Sequence, residues 1–88
     1  MSIDTFKRTL RGLMPGDENV YHRGSLAIAR DSNLVLCQIA TLLLRLSDLG
    51  YVILYQKRDN EGVMCYYYRI KERINRERTD EADALSRA

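Results

Sequence analysis

The chain has 88 residues, 45% of them hydrophobic and 30% charged, with a formal net charge of +2. Such a length allows one small globular domain around a single core and excludes a two-domain enzyme. No apolar run approaches the ~20 residues that a membrane-spanning helix needs, so no membrane partner is expected. Residues 1–8 lack the apolar core of a secretory signal, which makes a cytoplasmic location the expectation. Cys37 and Cys65 lie far apart beside a single histidine, His22, so neither a zinc site nor a structural disulfide is expected. Charge is unevenly spread: residues 79–88 hold Asp80, Glu81 and Asp83 against Arg87, leaving +4 on residues 1–78. A domain of that sign can approach nucleic acid, although many proteins of similar charge never do.

The first element is a helix. Ser2 can cap it, Asp4 suits its positive end, and Ile3, Phe6, Leu10 and Leu13 recur at the spacing of one helical face as far as about Met14. Pro15-Gly16-Asp17-Glu18-Asn19 breaks it, and Val20-Tyr21 can form a short extended piece. Gly24-Ser25 caps a second helix over residues 26–31, which ends at Ser32-Asn33. From Leu34 to Leu49 there is neither glycine nor proline, and 11 of the 16 residues are apolar, which predicts the longest and most buried helix. Gly50 stands where a helix commonly ends in a left-handed residue. Two β-favouring runs follow, Tyr51–Gln56 and Val63–Ile70, joined by the polar loop Lys57–Gly62, and together they predict a hairpin. Lys71 onward returns to helical composition, and past Thr79 a polar tail is expected to fray. The division is therefore one domain over residues 1–78 and a tail over 79–88.

Three helices followed by a hairpin give an α+β fold that resembles the winged helix-turn-helix family. The likeness is carried by Ala29 inside the second helix, Asn33 at the turn, then Leu34, Ile39, Leu43 and Leu46 along the third helix, with Gly50-Tyr51-Val52 leading into the first wing strand and Tyr68-Arg69-Ile70 closing the second. A small residue suits the place where two helix backbones approach closely, and the turn residue must accept an unusual backbone angle. The resemblance implies a helix-turn-helix core, a β-hairpin wing and a short C-terminal helix. It also implies a DNA-binding transcription regulator that occupies an operator through its third helix, acts as a homodimer, and uses no cofactor, metal or small-molecule substrate.

Gln38, Thr41, Arg45 and Asp48 fall within an arc of about 80° on the third helix, opposite Ile39, Leu43 and Leu46. Glutamine can bond an adenine edge at two points, threonine can touch a thymine methyl or a phosphate, and arginine can take guanine or phosphate. Asp48 would repel a duplex and is expected outside the contact zone. Lys57 and Arg58 in the wing loop and Arg30 on the second helix are candidate backbone contacts, as are Lys7, Arg8 and Arg11 on the first helix. Solvation alone explains the same polar positions equally well, since every surface helix needs one wet face.

The third helix has more apolar surface than one face can hide. Leu36, Cys37, Ala40 and Leu44 point to one flank and Val35, Leu42 and Leu49 to the other. Burying four aliphatic side chains is worth about 6–12 kcal/mol, comparable to the stability of a whole small domain. Either the segment Lys71–Arg78 folds back over them or a second copy covers them, with Leu36, Leu44 and Tyr67 as candidate interface residues. Tyr66-Tyr67-Tyr68 alternate across their strand, so at least one ring faces away from the core, either toward a partner or into cross-strand packing with Tyr51, Ile53 and Tyr55. No serine, cysteine or carboxylate has an evident base beside it, and no glycine-rich phosphate loop is present, so no enzyme activity is expected. The alternative within the same fold is a protein-interaction module that does not bind DNA.

Overall fold

Ser2 does cap the first helix, its hydroxyl accepting from the Thr5 amide at 3.2 Å, and α1 runs over Ile3–Arg11. The computed structural model describes residues 2–87, with side chains described as far as Ala82. α1 stops three residues short of the expected Met14. Gly12 caps it in right-handed geometry, and Pro15 disfavours the helical conformation for the residue before it. The Asp17 carboxylate accepts from the Met14 amide at 2.8 Å and holds the turn.

The turn leads into a strand longer than the sequence suggested. β1 covers Glu18–Arg23 and pairs antiparallel with a later strand, with a bulge between Val20 and His22 that leaves Tyr21 as the extra residue. Local composition is a poor guide here, because the ladder that stabilises Glu18-Asn19-Val20 lies almost fifty residues away in sequence. α2 (Leu26–Ser32) is capped by Ser25 and α3 (Leu34–Asp48) by Asn33, whose side chain accepts from the Leu36 amide. Gly50 takes φ +87°, which lets the Tyr51 amide reach back to the Leu46 carbonyl at 2.9 Å and turns the chain out of the helix.

β2 (Val52–Arg58) and β3 (Met64–Ile70) form the expected hairpin. The fold is α+β, with four helices and one antiparallel sheet of order β1-β3-β2. Strand alternation turns Val52, Leu54, Tyr68 and Ile70 toward the helices, where they share a core with Phe6, Leu10, Ile39, Leu42, Leu43 and Leu46. Phe6 meets the Tyr68 ring edge-on, with centroids 5.8 Å apart. Ile53, Tyr55, Tyr67 and Arg69 lie on the opposite face of the sheet.

After β3 the chain differs most from expectation. Residues 71–75 are not helical, and α4 occupies Arg76–Arg87, so the boundary placed at Thr79 falls inside a helix; only Ala88 of that tail lies outside the described residues. Ile74, Thr79 and Ala82 are fully shielded from solvent, and Ile74 and Ala82 join the core that contains Leu42 and Leu46. The C-terminal segment thus folds back on α3, one of the two covers that its apolar flanks required. Among the described residues no helix is long and apolar enough to cross a membrane.

Ile74 holds this cover in place from a non-helical stretch. Ile74→Ala should lower the unfolding free energy by about 2–5 kcal/mol, as for other large-to-small core changes. Urea unfolding followed by circular dichroism measures it, and an unchanged midpoint would mean that α4 is not part of the cooperative unit.

Candidate nucleic-acid interface

Around α3 the residues divide into two sectors. Leu36, Ile39, Ala40, Leu42, Leu43 and Leu46 are buried. Leu34, Gln38, Leu44, Arg45 and Asp48 are exposed, with Cys37 and Thr41 half-buried between them. At about 100° per residue the second group occupies one arc of about 120°, with Thr41 near its middle and Gln38 and Arg45 together toward one edge. Neither side chain is covered by another part of the chain. Leu34 is 74% exposed in the same arc, although the sequence pattern made it the first residue of a buried helix; at the N-terminal end of α3 it has no element packed over it.

Thr41 and Arg30 act together. The Thr41 hydroxyl donates to the Cys37 carbonyl at 2.8 Å and accepts from Arg30 Nη2 at 3.4 Å, so the half-buried Arg30 bridges from α2 onto the open sector of α3. With its hydroxyl turned back onto its own helix, Thr41 offers chiefly its methyl group to any ligand. The guanidinium of Arg30 has further donors beyond this contact.

Lys57 and Arg58, expected in the wing loop, instead end strand β2, paired with Cys65 and Met64 because the ladder continues past Gln56, and they serve different ends. Lys57 Nζ lies 5.2 Å from the Tyr55 ring centroid and 5.6 Å from that of Tyr67. Those two rings stack at 5.0 Å with 5° between their planes, and the Tyr55 hydroxyl donates to Glu18, which raises the Tyr55 pKa. Cross-strand packing therefore occupies much of Tyr67, one of the candidate interface residues. Arg58 Nη1 donates to the Gly62 carbonyl at 2.9 Å and closes the loop. Leu36 is a correction: at 7% exposure it is buried by its own chain, beneath a cleft that it shares with Tyr21, Ala29 and Ile39. Leu44, at 51%, stays open.

Sequence reasoning missed how this loop is held. Asp59 Oδ1 accepts from the Val63 amide at 3.0 Å and the Glu61 amide at 2.9 Å, and Arg23 at the end of β1 donates to Asp59 Oδ2 at 2.7 Å and to Glu61 at 2.9 Å. Asp59-Asn60-Glu61-Gly62 carries a legible signal for the first half, since an aspartate opening such a turn commonly bonds the amides that follow. Nothing local signals Arg23. These donors, the Val63 amide foremost, hold the Asp59 carboxyl below its ordinary value.

A depressed folded-state pKa adds stability above the ordinary aspartate range and loses it as pH falls through the folded value. Asp59→Asn should therefore melt at a lower temperature than the parent at pH 7, and the gap should close as the pH falls below about 4. Thermal melts across pH 3–7 test this; a gap independent of pH would remove the carboxylate from the account.

Among the described residues no group of three or more His, Cys, Asp or Glu side chains could hold a metal ion. Comparison with family models, with curated proteins and with solved structures found no match to this chain.

Proposed function

We propose that this chain is a winged helix-turn-helix protein that binds duplex DNA with α3 in the major groove and regulates transcription by occupying an operator as a homodimer. The observation that carries the reading is the open sector of α3. In the one sector of α3 that its own chain leaves open, Gln38 and Arg45 are exposed two turns apart along the same line, with Arg30 leaning in from α2. The order of elements supports it: a helix pair joined by a short turn precedes a hairpin whose first strand ends in Lys57 and Arg58.

In this reading Gln38 and Arg45 meet base edges, and Leu34 and the Thr41 methyl suit thymine methyl groups. Arg30 and Lys57 take phosphates. Arg58 acts indirectly, by closing the turn beside the strand end that carries Lys57. Asp48, exposed at the far end, marks where the duplex must leave the helix. A second copy would cover Leu44 in place of Leu36, and two recognition helices on two half-sites would supply affinity that one narrow sector cannot.

Titration with duplex DNA at two salt concentrations tests the proposal. Association should weaken steeply as salt rises, because phosphate contacts release counterions. Arg45→Ala should cost about 1–3 kcal/mol of binding, while leaving the melting temperature close to that of the parent. Salt-independent binding, or none at low salt, would favour the protein-interaction module instead. Sedimentation at several concentrations reads the dimer separately.

A further inference from the structure

Both outer strands of the sheet have one side without a neighbouring strand, β1 and β2 in the order β1-β3-β2. β1 is guarded along its length. It carries Glu18 at one end and Arg23 at the other, and its bulge at Tyr21 breaks the regular spacing of its backbone, features that discourage a further strand. β2 is regular from Val52 to Arg58 with no proline, bulge or acid, and its charges, Lys57 and Arg58, stand together at its end, which leaves Ile53–Gln56 unguarded. Two bonds that bracket its ladder fix which way its backbone points. The Asp59 amide donates to the Val63 carbonyl at 2.9 Å and the Lys71 amide to the Tyr51 carbonyl at 2.9 Å, so in the antiparallel alternation Ile53, Tyr55 and Lys57 bond β3, while Leu54, Gln56 and Arg58 turn their amides and carbonyls outward. No backbone bond from elsewhere among the described residues reaches those outward groups. Gln56 and Arg58 are exposed and Leu54 is half-buried.

We propose that this free edge of β2 binds an extended peptide as an added antiparallel strand, one whose acidic first residues precede an apolar segment. Main-chain bonds to Leu54, Gln56 and Arg58 supply affinity, and side chains on alternate faces supply selectivity. On the inner face, Leu54, Gln56, Tyr66 and Tyr21 line an open cleft of about 200 Å³ beside the edge, with room for one large apolar side chain. On the outer face, Ile53 is 38% exposed next to the half-buried Tyr55 and suits a second. Charge sets the composition of the other end. Lys57 and Arg58 are the only charges of β2, and the neighbouring acids Asp59 and Glu61 are both engaged by Arg23. Glutamate or aspartate therefore suits the peptide's first residues, which an antiparallel strand lays beside Arg58. A second copy of β2 brings no acid to that end. The edge is separate from the open sector of α3: Lys57 is common to this proposal and to the duplex reading, whereas Arg45 belongs only to the latter.

The probe is a blocked synthetic peptide of about eight residues, a pair of glutamates followed by a run of valine, threonine and phenylalanine. Added to the intact chain at up to about 1 mM, it should shift the amide resonances of Leu54, Gln56 and Arg58 saturably in a nitrogen-proton correlation spectrum and slow their hydrogen exchange by about tenfold or more. The amides of Ile53, Tyr55 and Lys57, already bonded to β3, should keep their exchange rates. Replacing the glutamates by lysines should weaken binding by about tenfold. Gln56→Pro removes an outward amide at a position where an edge strand tolerates proline, and should abolish the response with unchanged circular dichroism. Lys57→Glu should narrow the preference between the two peptides without touching the backbone. No saturable shift, unchanged affinity in both variants, or equal affinity for the acidic and basic peptides would overturn the proposal. So would the same protection arising in the chain alone as its concentration rises, which assigns the edge to a second copy. Arg45→Ala, which weakens duplex binding, should leave the peptide response intact, so the two proposals fail separately.

Discussion

A fifteen-residue helix with apolar side chains around most of its circumference can leave only a narrow sector in water, and the placement of every other element follows from that constraint. The sheet and α1 take one side of α3, α2 crosses its beginning, and α4 returns from the end of the chain to close another flank. Each cover is itself too small to be stable alone. Their mutual burial against Leu42, Leu43 and Leu46 makes the fold cooperative, and it also determines which sector stays open. Where α3 is exposed is the remainder after packing, and the polar residues sit in that remainder.

The same economy governs the hairpin. Its inner face is committed to the core through Val52, Tyr68 and Ile70, so the outer face must stabilise itself without a covering layer. It does so by pairing rings across strands and setting a lysine over them, which keeps large apolar surface in use while leaving the charged head in water. The loop at its end is fastened twice, by Arg58 to the Gly62 carbonyl and by Arg23 to Asp59 and Glu61. A hairpin end fastened in this way keeps less conformational freedom than a free one would.

Much of the helix-and-hairpin framework was legible because its signals are local. Ser2 and Ser25 mark helix starts through side chains that bond the amide three residues on, and Gly50 marks the exit from α3 through an angle that other residues avoid; Asn33, expected as a turn residue with an unusual backbone angle, is instead extended and caps α3. The open sector of α3 was legible for a related reason, since periodicity alone separates Gln38 and Arg45 from Ile39 and Leu43. What escaped was non-local. β1 exists because β3 pairs with it, and α4 begins at Arg76 because Ile74 is drawn into the core, which no window of sequence reveals. Leu36 was misplaced for the same reason: its flank looked vacant until α2 and β1 were seen to share it. The hydrogen bond from Arg11 to Thr79 joins residues at opposite ends of the chain, and neither position carries a signal of the other.

The second helix differs from its neighbours in a way that bears on motion. α2 is seven residues long and buries none of its side chains, with Ile28 74% exposed, so little more than its Ser25 cap and its contacts with α3 restrain it. Segments of that kind open at a small fraction of the global free energy. Arg30 therefore rides on a pliable mount while Arg45 is bolted to the stiffest part of the molecule. One charge can therefore shift its position while the other keeps it.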